Sequence, residues 1–186
     1  ELTIRGGSSH GQPIAMPIDY ATLAVGESGN ISDRRVYISL EGETNGVPKL
    51  LMQVTGLNSG FMILQYTTAA IASENKGVCF PSSADSIPTS LGQEDHVSMG
   101  SISGRKLLQV IDNVDKILSI ELLCAAQAKD FHSPLESTPI VEQIHQYIRT
   151  RIPHLEEDQP MQEILDAALD IVKSGDLVKV ADEIAT

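Results

Sequence analysis

The sequence predicts an all-α fold, a bundle of long helices, and three observations carry that prediction. From about 97 to 129, apolar residues recur at i, i+3, i+4 and i+7, the period of one helix face. From about 60 to 73 no residue is charged, so a helix there is expected to be buried all round. Only 4% of the 186 residues are aromatic and none is Trp, which leaves Leu, Ile, Val and Ala to build the core. With 41% hydrophobic residues, the chain can support one sizeable core.

The chain enters at once a strand-like Leu2-Thr3-Ile4-Arg5 and a glycine-rich turn, which reads as the interior of a longer protein. Residues 5–13 are either a turn before a helix, which Pro13 suits, or a site loop whose glycines admit a ligand to the backbone. A helix is expected over about 17–40, with Ile18, Leu23, Val25, Ile31, Val36 and Ile38 as its apolar face. Gly26 and Gly29 each cost that helix about 1 kcal/mol of propensity, which points to close packing against a neighbour. Residues 41–58 read as a loop whose Leu50-Leu51-Met52 patch folds back onto the core. Ser59 suits the N-cap of the uncharged helix, about 60–75. A polar loop follows, and then the longest helix, about 97–129. Such a rod spans roughly 50 Å, against a radius of gyration near ~16 Å for a chain of this size. It needs partner rods, in a bundle or an oligomer. Residues 131–139, with Pro134 and Pro139, form a linker. Three shorter helices are expected near 140–151, 160–173 and 177–184, with Pro160 in a first turn and Gly175 ending the second. The organisation expected is a helical core segment over 1–130 with site loops at 5–13 and 81–97, a linker over 131–139 and a helical tail over 140–186.

The net charge of −12 argues against nucleic-acid backbones and anionic membrane surfaces as partners, since both would repel it. No apolar run approaches the roughly 18 residues of a membrane span, and no signal peptide is read. Cys79 and Cys124 stand far apart in apolar surroundings, so free thiols and a reducing, cytoplasmic setting are expected.

Chemistry concentrates in the polar stretch 81–100, between two apolar helices. It holds the run Glu94-Asp95-His96. A metal site built from Asp85, Glu94, Asp95 and His96 is not expected, because adjacent side chains point apart and no supporting His or Cys spacing accompanies them. His132, His145 and His154 are expected to face solvent. Glu94 is the best candidate for proton or amine chemistry. Its other reading is a structural carboxylate that satisfies loop amides or caps the long helix.

Residues 56–76 (GLNSGFMILQYTTAAIASENK), 83–100 (SADSIPTSLGQEDHVSMG) and 105–128 (RKLLQVIDNVDKILSIELLCAAQA) resemble the C-terminal half of the histidine ammonia-lyase family. That family also holds phenylalanine and tyrosine ammonia-lyases and aminomutases. GNISDRR at 29–35 and the His10, Gly11, Pro13 pattern match in the same order. The resemblance covers residues 6–130 strongly and the tail weakly. It implies an aspartase/fumarase-like fold of long helices in a homotetramer. It also implies non-oxidative removal of ammonia from L-histidine to give urocanate, the first step of histidine breakdown. The family's electrophile is methylidene-imidazolone, self-derived from an Ala-Ser-Gly triplet. No such triplet occurs here. The resemblance therefore implies that this chain supplies part of each site, with the N-terminal half of the same protein and other subunits supplying the rest, no metal being involved. By position, Glu94 matches the family's active-site glutamate, Gln93 its neighbour, and Met62 a residue lining the pocket for the substrate side chain. Ser9 and His10 fall in the substrate loop. There the family reads Asn-Phe-His-Gly and this chain reads Ser8-Ser9-His10-Gly11, which bears on substrate identity. Two alternatives follow: a relative acting on another amino acid, or a non-catalytic helical assembly module.

Overall fold

The computed structural model describes residues 9–42 and 46–185. The strand-like start and Ser8 lie outside them. Six α-helices are described: α1 (Gln12–Glu41), α2 (Met62–Val78), α3 (Gly100–Asp130), α4 (Pro139–Arg149), α5 (Gln162–Ser174) and α6 (Asp176–Ala185). Among the described residues there is no strand.

α1 and α3 lie side by side and form the axis of the fold. Their contact explains why, of the apolar face expected on α1, Val36 is buried while most of the rest is not. The buried positions are Ala15, Asp19, Thr22, Gly26, Gly29, Ser32, Val36 and Leu40, a stripe of mostly small residues at helical spacing. Leu23, Ile31 and Ile38 are instead about half exposed. Small residues win the contact because they let the backbones approach. A Cβ on Gly29 would lie 3.0 Å from Val114, and one on Gly26 would lie 2.8 Å from the Cys79 sulfur. α1 thus spends its small face inside the chain and keeps an apolar face outside. Pro13 fits its first turn, where the missing N–H has no intrahelical partner; Pro17 lies inside the helix.

α2 packs on the second half of α1, antiparallel to it. Thr68 donates to the Asp33 carboxylate at 2.6 Å. Asn113 of α3 donates to Asn75 at 2.8 Å and to Glu74 at 3.1 Å. The expectation that α2 is buried all round does not hold within one chain: Ile63 and Tyr66 are 57% and 59% exposed. Ser59 does not cap the helix with its side chain. Phe61 takes the cap position with no side-chain bond, and the amides of Ser59 and Gly60 go to Asp158 of the tail.

The main core lies where α2 begins and α3 ends. The Leu50-Leu51-Met52 patch folds back as expected, and Leu51, Met52 and Phe61 are fully buried. Each such side chain contributes about 2 kcal/mol of burial. Ile148, Ile152, Leu155, Ala168 and Ile171 of the tail join the same cluster. Gln127, buried on α3, links the parts: its amide nitrogen donates to the carbonyls of Leu51 and Leu155, and its oxygen accepts from the Leu155 amide. Asp130, at the end of α3, binds Arg149 at 2.5 Å and His154 at 2.6 Å. His145 lies 2.8 Å away at an angle too poor for a hydrogen bond. The tail histidines 145 and 154 therefore turn inward to a carboxylate rather than out to solvent. Pro160 lies ahead of α5, which starts at Gln162. Gly175 ends α5 as expected, at φ +71. Both cysteines are free thiols.

Candidate active site

The stretch 81–99 crosses the start of α1 as an ordered polar loop. Its first part is anchored on Asp19, two helical turns into α1. The Ser83 amide donates to the buried Asp19 carboxylate at 2.8 Å, and the Gln12 amide donates to the Ser83 carbonyl at 3.1 Å. Burial alone would raise the Asp19 pKa. The hydrogen bonds from Ser83 and Ser103 outweigh it and hold the carboxyl below its ordinary range. At the far end, His10 Nε2 lies 2.9 Å from the His96 carbonyl and 3.2 Å from His96 Nδ1. Gly11 lies so close to this loop that a Cβ would come within 2.4 Å of the Ser98 hydroxyl.

Between these anchors the chain makes a tight reversal. Thr89 and Glu94 exchange both backbone hydrogen bonds, at 3.0 and 3.3 Å. Ser90, Leu91 and Gly92 all take positive φ, at 53°, 56° and 86°. For the two non-glycine residues that conformation costs of order 1 kcal/mol or more each. Leu91 stands fully exposed at the tip.

Neither structural role open to Glu94 is seen among the described residues. Its backbone is fully bonded, but its exposed carboxylate takes no hydrogen bond and no ion pair among the described residues. It does not cap α3, whose N-cap is Met99 without a side-chain bond. Gln93 is held the same way, with its amide on the Ser90 carbonyl at 3.0 Å and its side chain exposed. Ser9 is exposed beside His10. Gly7-Ser8-Ser9-His10-Gly11 spells the G-x-S-x-G of a nucleophile elbow. An elbow needs a strand leading into the turn and a base on the serine. The His10 ring, the neighbouring candidate for that base, is engaged with His96 instead.

Glu94, Gln93, Ser9 and His10 are thus gathered at one end of the bundle. Met62 is not among them. It is the first residue of α2 and lines a groove of about 180 Å³ with Tyr37, Leu40, Glu41, Leu50 and Gln65. That groove lies at the end of α1, while His10 lies at its start. The intervening helix makes the separation about 40 Å. No single substrate can touch Met62 and Glu94 of one chain. The polar anchors Asp19 and Asp158 carried no sequence signal: one lies inside a helix pattern and the other in a run of acids that reads as solvated surface.

The comparisons with known proteins define the class first. The family model for aromatic amino acid lyases matches residues 1–150, and the chain belongs to that family. Within it, the chain is 43% identical to histidine ammonia-lyase of Natranaerobius thermophilus, over 94% of its own length and 35% of that protein. It superposes on the crystal structure of histidine ammonia-lyase from Trypanosoma cruzi with a TM-score of 0.93 at 41% identity, covering 98% of the chain and 36% of that structure. The tyrosine aminomutase of Streptomyces globisporus has the same arrangement, with a TM-score of 0.92 at 31% identity over 98% of the chain and 35% of that structure. The chain spans about a third of the length of these relatives.

Proposed function

We propose that the chain is the C-terminal portion of a cytoplasmic histidine ammonia-lyase that converts L-histidine to urocanate and ammonia. The observation that carries this reading is the Glu94 carboxylate, exposed and unpaired among the described residues on a hydrogen-bonded loop reversal, in a family whose members match this chain so closely. In the reaction the Cα–N and one Cβ–H bond break and a carbon–carbon double bond forms. The methylidene-imidazolone of the family supplies the electron sink for that elimination, from a segment outside these residues. Glu94 and Ser9 are exposed and without side-chain partners among the described residues, which suits a group presented from another segment. This chain's own part is to hold the substrate. Glu94 meets the ammonium end or takes a proton, Gln93 flanks it, Ser9 and His10 border the pocket, and Met62 lines the side-chain end of a different site in the assembly.

A homotetramer is part of the proposal. Tyr20, Leu57, Ile63, Tyr66 and Leu91 are each more than half exposed, more apolar surface than a monomer of this size ordinarily leaves uncovered. Two free thiols suit the cytoplasm. A second reading, a family member acting on a larger aromatic amino acid, is favoured by Ser9, where the family's phenylalanine would bury about 150 Å² or more. The test is ammonia release by the full-length protein against a panel of amino acids, with the 186-residue chain alone as control. Histidine turned over by the full-length protein only is the expected result. Turnover of another amino acid in preference to histidine supports the second reading, and turnover of none supports an assembly module.

A further inference from the structure

Asp158 lies in the tail, beyond the residues 1–150 matched by the family model. Its carboxylate is the anchor of the turn that starts α2. Oδ2 accepts the Ser59 amide at 2.7 Å and Oδ1 accepts the Gly60 amide at 2.8 Å. The bond is returned: the Asp158 amide donates to the Asn58 side chain at 3.1 Å. A carboxylate is suited to this place, because it supplies two charged acceptors to two orphan amides just ahead of a helix N-terminus.

The turn it holds has little freedom. Gly60 sits at φ +57, and a Cβ there would lie 2.5 Å from the Leu50 carbonyl. That carbonyl accepts the Phe61 amide at 3.1 Å. Met62 follows directly, and Leu50 forms one wall of its groove. On the other side Asp158 is three residues from Leu155, which Gln127 ties to α3. Hydrogen bonds at Leu155 and at Asp158, joined by the short stretch of chain between them, thus link α3 through the tail to the turn before α2.

We infer that Asp158 is a positioning residue for the substrate side-chain pocket: it fixes the start of α2, and with it Met62, from the tail. The inference rests on the proposed placement of Met62 in that pocket. Asp158→Ala removes both acceptors. Asp158→Asn keeps one and sets an amide N–H against the other donor. Glu156→Gln, an equal change of charge two residues away, is the control.

In the full-length protein, two readouts are taken. Backbone amide exchange at 59–62 should quicken in Asp158→Ala, less in Asp158→Asn, and not in Glu156→Gln. The KM for histidine should rise by about tenfold in Asp158→Ala, since a displaced pocket wall weakens binding of substrate and transition state alike. A tail that merely stabilises the fold would lower the amount of active protein, and hence the apparent kcat, and leave KM unchanged. Unchanged exchange, or faster exchange with an unchanged KM, overturns the inference. If the unsubstituted protein turns over no histidine, the functional reading fails. The same KM comparison is then made with whichever amino acid of the panel is turned over. If none is, the inference falls with that reading, while the exchange result still reports whether the anchor exists.

Discussion

The two ends of the bundle are built on opposite plans. Where α2 begins and α3 ends, the core is dense and polar side chains tie its parts together: Gln127 makes three bonds, and Asp130 collects Arg149 and His154. Where α1 begins, the start of α3 and a polar loop pack against it, and the loop's side chains at Leu91, Gln93 and Glu94 are exposed. The packed end holds the chain together. The open end presents groups that nothing among the described residues uses. Met62 belongs to the packed end and Glu94 to the open one, so the residues proposed for one reaction are kept apart by the fold that carries them.

The largest effect expected on the open end is on rate. In the full-length protein Glu94→Gln should lower kcat by roughly 10² to 10⁴, the range for losing a positioned proton-transfer group. The melting temperature should stay unchanged, because the carboxylate supports no structural bond. A fall in melting temperature with full turnover would return Glu94 to a structural role. The packed end should behave in the reverse way. Gln127→Leu leaves the Leu51 carbonyl and both backbone groups of Leu155 without partners. At about 1 kcal/mol or more for each, denaturant unfolding should show a loss of about 3 kcal/mol. Activity per folded molecule should be kept.

A smaller effect is expected at Ser9. Ser9→Phe should raise kcat/KM for histidine about tenfold, or about 1.4 kcal/mol of transition-state binding, while lowering it for a larger aromatic amino acid. No change for either substrate would remove Ser9 from the pocket. The smallest effect is on acid stability. Asp130, despite its burial, is held below the ordinary carboxylate range by Arg149 and His154, and Asp176 is lowered to about 2 by Lys179, Tyr147 and Ser174. A carboxyl with a depressed folded pKa stabilises above its unfolded value and loses that contribution as pH falls through the folded one. The melting temperature should therefore decline from about pH 4 toward about pH 2, and Asp130→Asn should flatten that decline.

Much of this contrast was legible in the sequence, and the remainder failed for physical reasons. α3 lies within a few residues of its expected span, because its apolar period is long and its breaks are clear. Gly26 and Gly29 rightly signalled a close helix contact. The buried face of α1 was missed because side-chain size, rather than hydrophobicity, decides that contact, and Asp19, Thr22 and Ser32 sit inside it. The inward turn of His145 and His154 depends on Asp130, which lies 15 and 24 residues earlier in the chain. The Asp158 anchor joins residues about a hundred positions apart, and nothing local marks it. At the open end, Glu94 was legible as a candidate, whereas its freedom from any structural bond required the coordinates.

The central claim is that Met62 and Glu94 of one chain serve different sites. Two full-length variants, Glu94→Gln and Met62→Lys, should each be nearly inactive alone. Unfolded together in equal amounts and refolded as mixed oligomers, they should recover about a quarter of the wild-type activity. That is the share of sites drawing an unsubstituted residue from each of two randomly paired chains. Activity no greater than the sum of the two variants refolded separately would mean that both residues act from the same chain, and would contradict the account.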